Sequence, residues 1–259
     1  GGDRLLAAAV AARNDADAAL VRLLLSRNDP IIDVTLAAND AVDLPADAKD
    51  ELLARGRDEE AIATALLSRN DFTLADQAVL FQWADKALRR AIVEDAVRLA
   101  TLSGRLRHHR RATDEVTAAV EAAANAGDPD TMATVLAAAA GAPAGRVRRL
   151  LEDRSGECLA ILLVASGIDD ETATRVFMFL DPAIGHSSQR VFALVDLARR
   201  VPFAAAERIA GAMLGVEGPR RAAGPRQPEP RQEQARPGPA TIVSAQVAQQ
   251  QAALRRGQG

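Results

Sequence analysis

Residues 23–30, Leu-Leu-Leu-Ser-Arg-Asn-Asp-Pro, decide the fold class of this chain. The aliphatic run leads into Arg27, whose positive charge suits the negative end of a helix dipole. Asn28 tolerates the left-handed conformation that closes a helix, and Asp29 accepts hydrogen bonds from the free N–H groups that open the next one. Pro30 fits the first position of that second helix. The stretch therefore predicts two helices joined by almost no loop, as in an αα-hairpin.

The same residues that end one helix and begin the next recur along the chain. Arg-Asn-Asp also occurs at residues 13–15 and 69–71, Asn39-Asp40 is a shortened copy, and Asp128-Pro129 repeats the Asp-Pro start. At each site we expect a left-handed residue to end one helix and the Asp to cap the next. The resulting predicted helices lie near residues 3–13, 16–27, 30–38, 45–55, 59–69, 74–83, 85–103, 114–125, 129–140, 144–153, 156–166, 170–180, 188–200 and 203–214.

Several segments resemble one another. Residues 58–66, Asp-Glu-Glu-Ala-Ile-Ala-Thr-Ala-Leu, align without a gap with residues 128–136, Asp-Pro-Asp-Thr-Met-Ala-Thr-Val-Leu, at an offset of 70. Residues 31–36 fit residues 62–66 at an offset of 31 with one mismatch in spacing. Units of this length that hold two short helices are typical of α-solenoids, in which each hairpin buries its apolar face only against its neighbours. We predict an all-α solenoid of stacked hairpins over residues 1–214, with an irregular helical domain as the alternative.

Composition agrees with close-packed helices. The chain is 48% hydrophobic but only 3% aromatic and has no Tyr, so Ala, Leu, Val and Ile must build the core. The single cysteine, Cys158, excludes an internal disulfide and fits a reducing compartment, so we expect a cytoplasmic protein. Residues 158–165 are the longest apolar run and are far too short to span a membrane.

The composition changes at about Gly215. Residues 215–259 are rich in Pro, Gln and Arg and hold too little apolar surface to offset the entropy of ordering, which predicts a disordered tail. Residues 241–254 are a candidate for a short amphipathic helix, which would be marginal in isolation at that length. A solvated tail is the simpler interpretation, and a motif that docks on a partner is the alternative.

Residues 150–163, Leu-Leu-Glu-Asp-Arg-Ser-Gly-Glu-Cys-Leu-Ala-Ile-Leu-Leu, followed by Gly167-Ile168, resemble the second half of a bacterial HEAT-like helical-repeat family, domain of unknown function 2336. Residues 52–56, Leu-Leu-Ala-Arg-Gly, and residues 62–70, Ile-Ala-Thr-Ala-Leu-Leu-Ser-Arg-Asn, are similar to its repeat unit. The resemblance covers roughly residues 15–214 and leaves the tail outside. It implies a HEAT-like α-solenoid without enzyme activity, and it supplies no catalytic residues.

The sequence offers little for catalysis, a metal or a cofactor. His108 and His109 are adjacent, so on a helix they point about 100° apart and do not chelate one metal from the same face. With one cysteine elsewhere, no zinc-ligand spacing occurs. Residues 185–189, Gly-His-Ser-Ser-Gln, lack the second glycine of a nucleophile elbow, and Ser187 or Ser188 is better explained as a helix cap. We therefore predict no enzyme, no metal and no cofactor, with a metal-free enzyme that uses a helical groove as a remote alternative.

One group of basic residues suggests a binding site. Residues 86–111 hold eight basic and only two acidic side chains in a chain of net charge −3, and they end in Arg105-Leu106-Arg107-His108-His109-Arg110-Arg111. These arginines and histidines are candidates for binding an acidic protein surface or phosphate. The simpler interpretation is a solvated helix end. No aromatic residue is interleaved for base stacking, which disfavours single-stranded nucleic acid.

Two apolar clusters have both a structural and a functional interpretation. Trp83, beside Phe81, is the only Trp and is predicted to anchor the core between two hairpins, with an exposed binding residue as the alternative. Residues 176–180, Val-Phe-Met-Phe-Leu, are predicted to be core, with groove lining as the alternative. These observations together predict a non-enzymatic interaction or scaffolding module, which binds a protein or peptide on the solenoid surface. The alternative is a nucleic-acid-associated regulator that uses residues 105–111, although the acidic net charge disfavours nucleic acid as a partner.

Overall fold

The computed structural model describes residues 2–105 and 110–216 of the chain. Within these residues all regular structure is helical and no β-strand occurs, so the predicted all-α class is confirmed. A 3-10 helix spans Ala78–Trp83. The α-helices are α1 (Gly2–Ala11), α2 (Ala18–Leu25), α3 (Pro30–Ala38), α4 (Ala46–Gly56), α5 (Glu60–Leu67), α6 (Leu74–Gln77), α7 (Lys86–Leu102), α8 (Asp114–Ala126), α9 (Pro129–Ala140), α10 (Ala144–Leu150), α11 (Glu157–Ala165), α12 (Asp170–Phe179), α13 (Pro182–Gly185), α14 (Ser188–Arg200) and α15 (Phe203–Leu214).

Local capping chemistry sets many of these boundaries. Asn28 is the one described residue other than glycine with positive φ, at 48°, and Asp29 then caps α3 by accepting from the N–H of Ile31. Asp128 caps α9 in the same way, directly after the left-handed Gly127. At these two turns the predicted stop-and-start chemistry is confirmed. No described helix is long and apolar enough to cross a membrane.

The other two Arg-Asn-Asp tripeptides do not work as predicted. Asp15 and Asp71 each bind the arginine two residues earlier, and the caps of the following helices are Asp17 and Thr73. A guanidinium within reach satisfies the carboxylate better than a backbone N–H does, because both partners are charged. Asn39 also departs from the prediction, since its φ is −85°.

The prediction of one helix over residues 74–83 was wrong in its second half. After α6 the chain tightens into the 3-10 helix, and Leu80 leaves helical geometry with φ −105° and ψ 19°. In a 3-10 helix the side chains at i and i+3 eclipse each other. Ala78, Phe81 and Ala84 therefore share one row, while Leu80 and Trp83 share a second row that packs elsewhere.

These two rows face two hydrophobic clusters. The N-terminal cluster takes its buried residues from α1 to α5 together with Phe72 and Leu80, and the C-terminal cluster extends from Ala78 to Leu214. In the first, α3 packs against α1 and α5; in the second, α8 packs against α9 and α12. The last helix, α15, packs against α7, α11 and the 3-10 helix. The 3-10 helix therefore joins both clusters.

Equivalent positions are buried in α3, α5 and α9. Ile62, Ala63 and Leu66 of α5 are buried, and so are the residues 70 positions later in α9, as the alignment of these segments predicts. In α3 the buried residues 32, 33 and 36 lie 30 positions before those of α5, so the offset of 31 was wrong by one. The residue at position 33 is Asp33, a buried carboxylate where the other helices carry Ala.

Two arginines, the partly buried Arg55 and the buried Arg69, make similar contacts with the chain two helices earlier. Arg55 donates to the carbonyl oxygen of Leu25, 30 residues earlier, and to the side-chain oxygen of Asn28, 27 residues earlier. Arg69 donates to the backbone carbonyl oxygens 30 and 27 residues before it. Arg55 also lies 2.6 Å from the carboxylate of Asp33, which offsets part of the cost of burying that charge. The recurrence at one spacing ties α4 and the end of α5 to earlier turns in the same way.

The sequence expectation for α13 was incomplete, because no helix was predicted between residues 180 and 188. Asp181-Pro182 begins this single turn, and Asp181 accepts from the N–H of Ala183. This is the same Asp-Pro start that the sequence shows at α3 and α9. Gly185 ends the turn against α12, where an added Cβ would lie 2.2 Å from the carbonyl oxygen of Met178.

The apolar clusters singled out in the sequence divide between core and surface. Trp83 is half-buried and donates from its indole nitrogen to the carbonyl oxygen of Arg57 at 3.4 Å, which confirms a packing role. Phe177 is buried, whereas its neighbours Met178 and Phe179 are half-exposed, so the core prediction for 176–180 was only partly right. Cys158 is buried, and burial raises the pKa of its thiol well above the usual range.

Candidate basic interaction site

The basic segment, residues 105–111, begins where α7 ends. Asp85 caps the start of this helix by accepting from the N–H of Leu88 at 2.8 Å, and Gly104, with φ 68°, follows its last turn. Arg105 is the next residue and is exposed. Its guanidinium lies 3.7 Å from the carboxylate of Glu207 in α15, with more than half of each side chain exposed to solvent. An ion pair of that length and exposure holds Arg105 weakly and leaves it accessible to a partner.

Only part of the predicted site can be placed. Arg107, His108 and His109 lie outside the described residues. Arg110 and Arg111 are described, and both are exposed. The structure therefore describes three of the six candidate residues, which are Arg105, Arg110 and Arg111.

The backbone at Arg110–Ala112 is held against the turn between α11 and α12. The N–H of Ala112 donates to the carbonyl oxygen of Gly167 at 2.9 Å. Gly167 has φ +76°, and a Cβ added there would lie 2.2 Å from the carbonyl oxygen of Arg110. A side chain at this position would be strained and would also push the segment away. The contact needs glycine, and it fixes the main chain that carries the two arginines.

Among the residues that the structure describes, the guanidinium groups of Arg110 and Arg111 have no carboxylate partner. Neither group forms an ion pair within 4.0 Å in the described part of the chain. In contrast, arginines at many other exposed positions, such as Arg90 and Arg175, do form one. The positive charge of Arg111 is the smallest contribution to a lowered pKa of Asp169, after its hydrogen bonds from Thr172 and Glu171. Two adjacent exposed guanidinium groups on a fixed main chain can bind carboxylate or phosphate oxygens.

A second arginine centre is buried, and the sequence analysis missed it. Arg89, in α7, is 3.0 Å from the carboxylate of Asp153 and 3.2 Å from that of Glu157, and it also donates to the hydroxyl of Ser155. Its Nε donates to the carbonyl oxygen of Ala84 at 2.9 Å. Its acidic partners come from residues 153–157, Asp-Arg-Ser-Gly-Glu, which lie within the stretch that resembles the helical-repeat family.

The surroundings of Asp153 keep it ionised. Burial alone would raise the pKa of this carboxyl, but the hydrogen bond and charge of Arg89 hold the pKa below its usual value. The hydroxyl of Ser155 and the N–H of Cys158 also donate to Asp153, at 2.6 and 3.2 Å. Every polar group named here has a protein partner, so this network holds α7 to the loop before α11 and offers no free group for chemistry.

Two other polar side chains that could be considered for chemistry have local structural roles. Ser187 caps α14 by accepting from the N–H of Arg190, and Asp169 caps α12 by accepting from the N–H groups of Glu171 and Thr172. Ser187 therefore acts as the helix cap that the sequence predicted, and Asp169 has the same role. Among residues 2–105 and 110–216, no group of three or more His, Cys, Asp or Glu side chains is placed to hold a metal ion.

The profile of a bacterial family described as "Uncharacterised protein conserved in bacteria (DUF2336)" matches residues 2–210. The chain belongs to the DUF2336 family. The match begins before the residue-15 limit of the sequence resemblance and stops within α15. The DUF2336 region therefore contains the basic segment and the Arg89 network, and it excludes the tail. No curated protein and no solved structure matches the chain.

Proposed function

We propose that this DUF2336 protein is a non-enzymatic interaction or scaffolding module that uses its basic edge to bind an acidic protein or peptide. We define the basic edge as Arg105, Arg107, His108, His109, Arg110 and Arg111. One observation carries the proposal: Arg110 and Arg111 are exposed, have no described carboxylate partner and stand on a main chain held by Gly167. Such groups lose little internal stabilisation when a carboxylate binds them.

We further infer a HEAT-like stack of helical hairpins as the scaffold that presents this edge. The equivalent buried positions of α3, α5 and α9 support it, as does the arginine contact that recurs at spacings of 30 and 27 residues. Repeated contacts at one spacing are the expected result of stacking similar units. A regulatory role in the cytoplasm is the setting we propose, because the lone cysteine is a buried free thiol that suits a reducing compartment.

A charge-reversal experiment tests the basic edge. The test variant changes Arg105, Arg107, Arg110 and Arg111 to Glu in the full chain. The control variant changes Arg13, Arg90, Arg199 and Arg200 to Glu, which gives the same change in charge at exposed positions elsewhere. Both variants are compared with wild type in pull-downs from nuclease-treated bacterial lysate, followed by salt titration of the recovered complex.

We expect wild type and the control variant to recover the same acidic partner and the test variant to lose it. Equal recovery by all three proteins would remove the basic edge from the binding site. The runner-up function, a nucleic-acid-associated regulator, predicts direct binding to a DNA or RNA duplex that weakens steeply with added salt. If the test variant loses duplex binding but keeps protein partners, the nucleic-acid function replaces our proposal.

A further inference from the structure

Three helix corners enclose a small cleft on the C-terminal half of the described chain. Its volume is about 290 Å³. The turn between α8 and α9 contributes Gly127, the loop between α10 and α11 contributes Glu152, and the turn between α12 and α13 contributes Asp181. The cleft shares no residue with the basic edge. We call it the acidic cleft.

Apolar side chains form part of the wall of the acidic cleft. Leu159, Leu180 and Ile184 line it and are almost fully buried. Gly156 lies among them, and a Cβ added there would come within 2.9 Å of the terminal methyl of Ile184 and 2.8 Å of a methyl of Leu194. Glycine therefore lets this wall pack closely. An aliphatic chain that enters the cleft would replace water on the small part of these side chains that is exposed.

The charges around the cleft do not balance. Arg148 is shared between two carboxylates, those of Asp130 at 2.7 Å and Glu152 at 3.1 Å. Asp153 also lines the cleft, and its charge is matched by the buried Arg89. Asp181 accepts from the N–H of Ala183 at 2.8 Å and forms no ion pair with any described residue. Arg148 itself lines the cleft and balances Glu152, whereas Asp130 lies outside the lining. Of the three lining carboxylates, Asp181 is therefore the one without an ion pair to a described residue, and it gives the cleft its net negative charge.

The volume of the acidic cleft and the chemistry of its walls indicate which group it would bind. The volume lies just below the roughly 300–1,000 Å³ that is usual for small-molecule pockets, which suits one long side chain better than a cofactor. Arginine buries its aliphatic stem on apolar surface and keeps its charged end at a polar rim. Half-exposed Met178 and Phe179 precede Leu180 on the same corner and offer apolar contacts for the flanking residues of a peptide.

We propose that the acidic cleft is a docking site for an arginine side chain of a partner protein, with the guanidinium paired to Asp181. The site goes beyond the proposed function, because it is a second binding surface with the opposite charge preference. The two surfaces would let one chain hold an acidic and a basic partner together, as a scaffold does.

The test uses the blocked peptide acetyl-Leu-Arg-Leu-amide as the probe and its citrulline analogue as an uncharged control of the same shape. Each peptide is titrated into the ¹⁵N-labelled full chain and followed by amide chemical shifts. The test variant is Asp181→Asn, which removes the charge but keeps an amide oxygen that can cap α13. The control variant is Asp85→Asn, which makes the same change at the cap of α7, at a residue that does not line the cleft.

We expect saturable shifts at Gly127, Gly156 and Ala183 with the arginine peptide. Loss of one charge-assisted contact should weaken binding about tenfold, both for citrulline and for Asp181→Asn. Asp85→Asn should bind as wild type does. Absence of shifts in the cleft, or equal binding of the two peptides, overturns the proposal, and so does equal binding by Asp181→Asn.

The outcome is separable from the fate of the basic edge. An Arg110→Glu/Arg111→Glu variant should bind the arginine peptide as tightly as wild type, because neither residue lines the cleft. If the basic edge fails its pull-down and the peptide still binds, only the proposed function is lost. If the peptide fails to bind and the pull-down succeeds, only the acidic cleft is lost.

Discussion

Arg89 and Asp153 form an ion pair with a 3.0 Å contact, and both side chains are more than nine-tenths buried. They lie 64 residues apart in the sequence, on α7 and on the loop before α11. Two charges out of water require good geometry and further hydrogen bonds to repay their desolvation. Ser155, Ala84 and Glu157 supply those bonds around Arg89. The pair therefore fixes how α7 packs against the loop before α11.

We expect Arg89→Met to lower the free energy of unfolding by about 3–5 kcal/mol, because it leaves the buried carboxylate of Asp153 without its cation. Urea unfolding followed by circular dichroism measures the change. Arg90→Met is the matched control, since Arg90 is the next residue on α7 and pairs with Glu94 on the surface. The control should unfold close to wild type. Equal midpoints for Arg89→Met and Arg90→Met would show that the network adds no stability.

Gly167→Ala should separate backbone strain from steric displacement. Gly141 has nearly the same left-handed backbone, with φ +66°, but has no neighbour within 4 Å of an added Cβ. We expect Gly141→Ala to cost about 1–2 kcal/mol, which is the ordinary penalty of that conformation. Gly167→Ala should cost clearly more, because its Cβ would collide with the carbonyl oxygen of Arg110. Urea unfolding measures both penalties.

The same variant pair reports on the basic edge. Amide shifts of Arg110–Ala112 should change in Gly167→Ala and stay as in wild type in Gly141→Ala. Equal unfolding penalties together with unchanged shifts at Ala112 would mean that Gly167 does not hold the segment.

Short-range chemistry explains which parts of the fold the sequence could predict. Asn28-Asp29 and Asp128-Pro129 set helix ends through groups within three residues, so their sequence alone is informative. The sequence did not predict the 3-10 helix, because its two rows of side chains pack into two different hydrophobic clusters. Local sequence patterns do not show such packing. Asp15 failed as a cap because Arg13 is close enough to compete for it.

The candidate sites divide in the same way. Arg110 and Arg111 stand in a run of basic residues, so composition alone predicted them as an anion-binding candidate. Nothing in the sequence near Arg89 shows that its partners come from residues 153–157, and the acidic cleft needs three corners to meet. Pairings over 64 to 68 residues depend on the packing of whole helices, which local patterns do not encode.

Acid titration should distinguish two buried carboxylates. Burial raises the pKa of Asp33 despite the hydrogen bond from Arg55, whereas Arg89 overcomes burial and lowers the pKa of Asp153. A raised carboxyl pKa means that the folded state binds the proton more tightly, so protonation of Asp33 stabilises the fold as the pH falls through its folded pKa. The stability from Asp153 is instead present above the unfolded pKa, near 4, and is lost as the pH falls through the folded value.

Urea unfolding of wild type, Asp33→Asn and Asp153→Asn from about pH 7 to about pH 3 measures these effects. As the pH falls, wild type should gain stability relative to Asp33→Asn and lose stability relative to Asp153→Asn. Differences from wild type that stay constant with pH would contradict the assignment of both groups.

Arg69 and Arg13 occupy the same position in two Arg-Asn-Asp tripeptides but differ in burial. They therefore test how burial changes the contribution of this arginine to stability. Both begin Arg-Asn-Asp and both bind the Asp two residues later, but the side chain of Arg69 is 1% exposed and that of Arg13 is 61% exposed. Arg69 also donates to the backbone carbonyl oxygens of Asn39 and Val42. We expect Arg69→Ala to lower the free energy of unfolding by about 3 kcal/mol, because buried acceptors lose their donor and the turn after α3 loses its link to α5. Arg13→Ala should unfold close to wild type, because water replaces the lost contact. Urea unfolding of both variants measures the difference. Similar midpoints would show that the contacts of Arg69 with the residues 30 and 27 positions earlier add nothing to the stability of the fold.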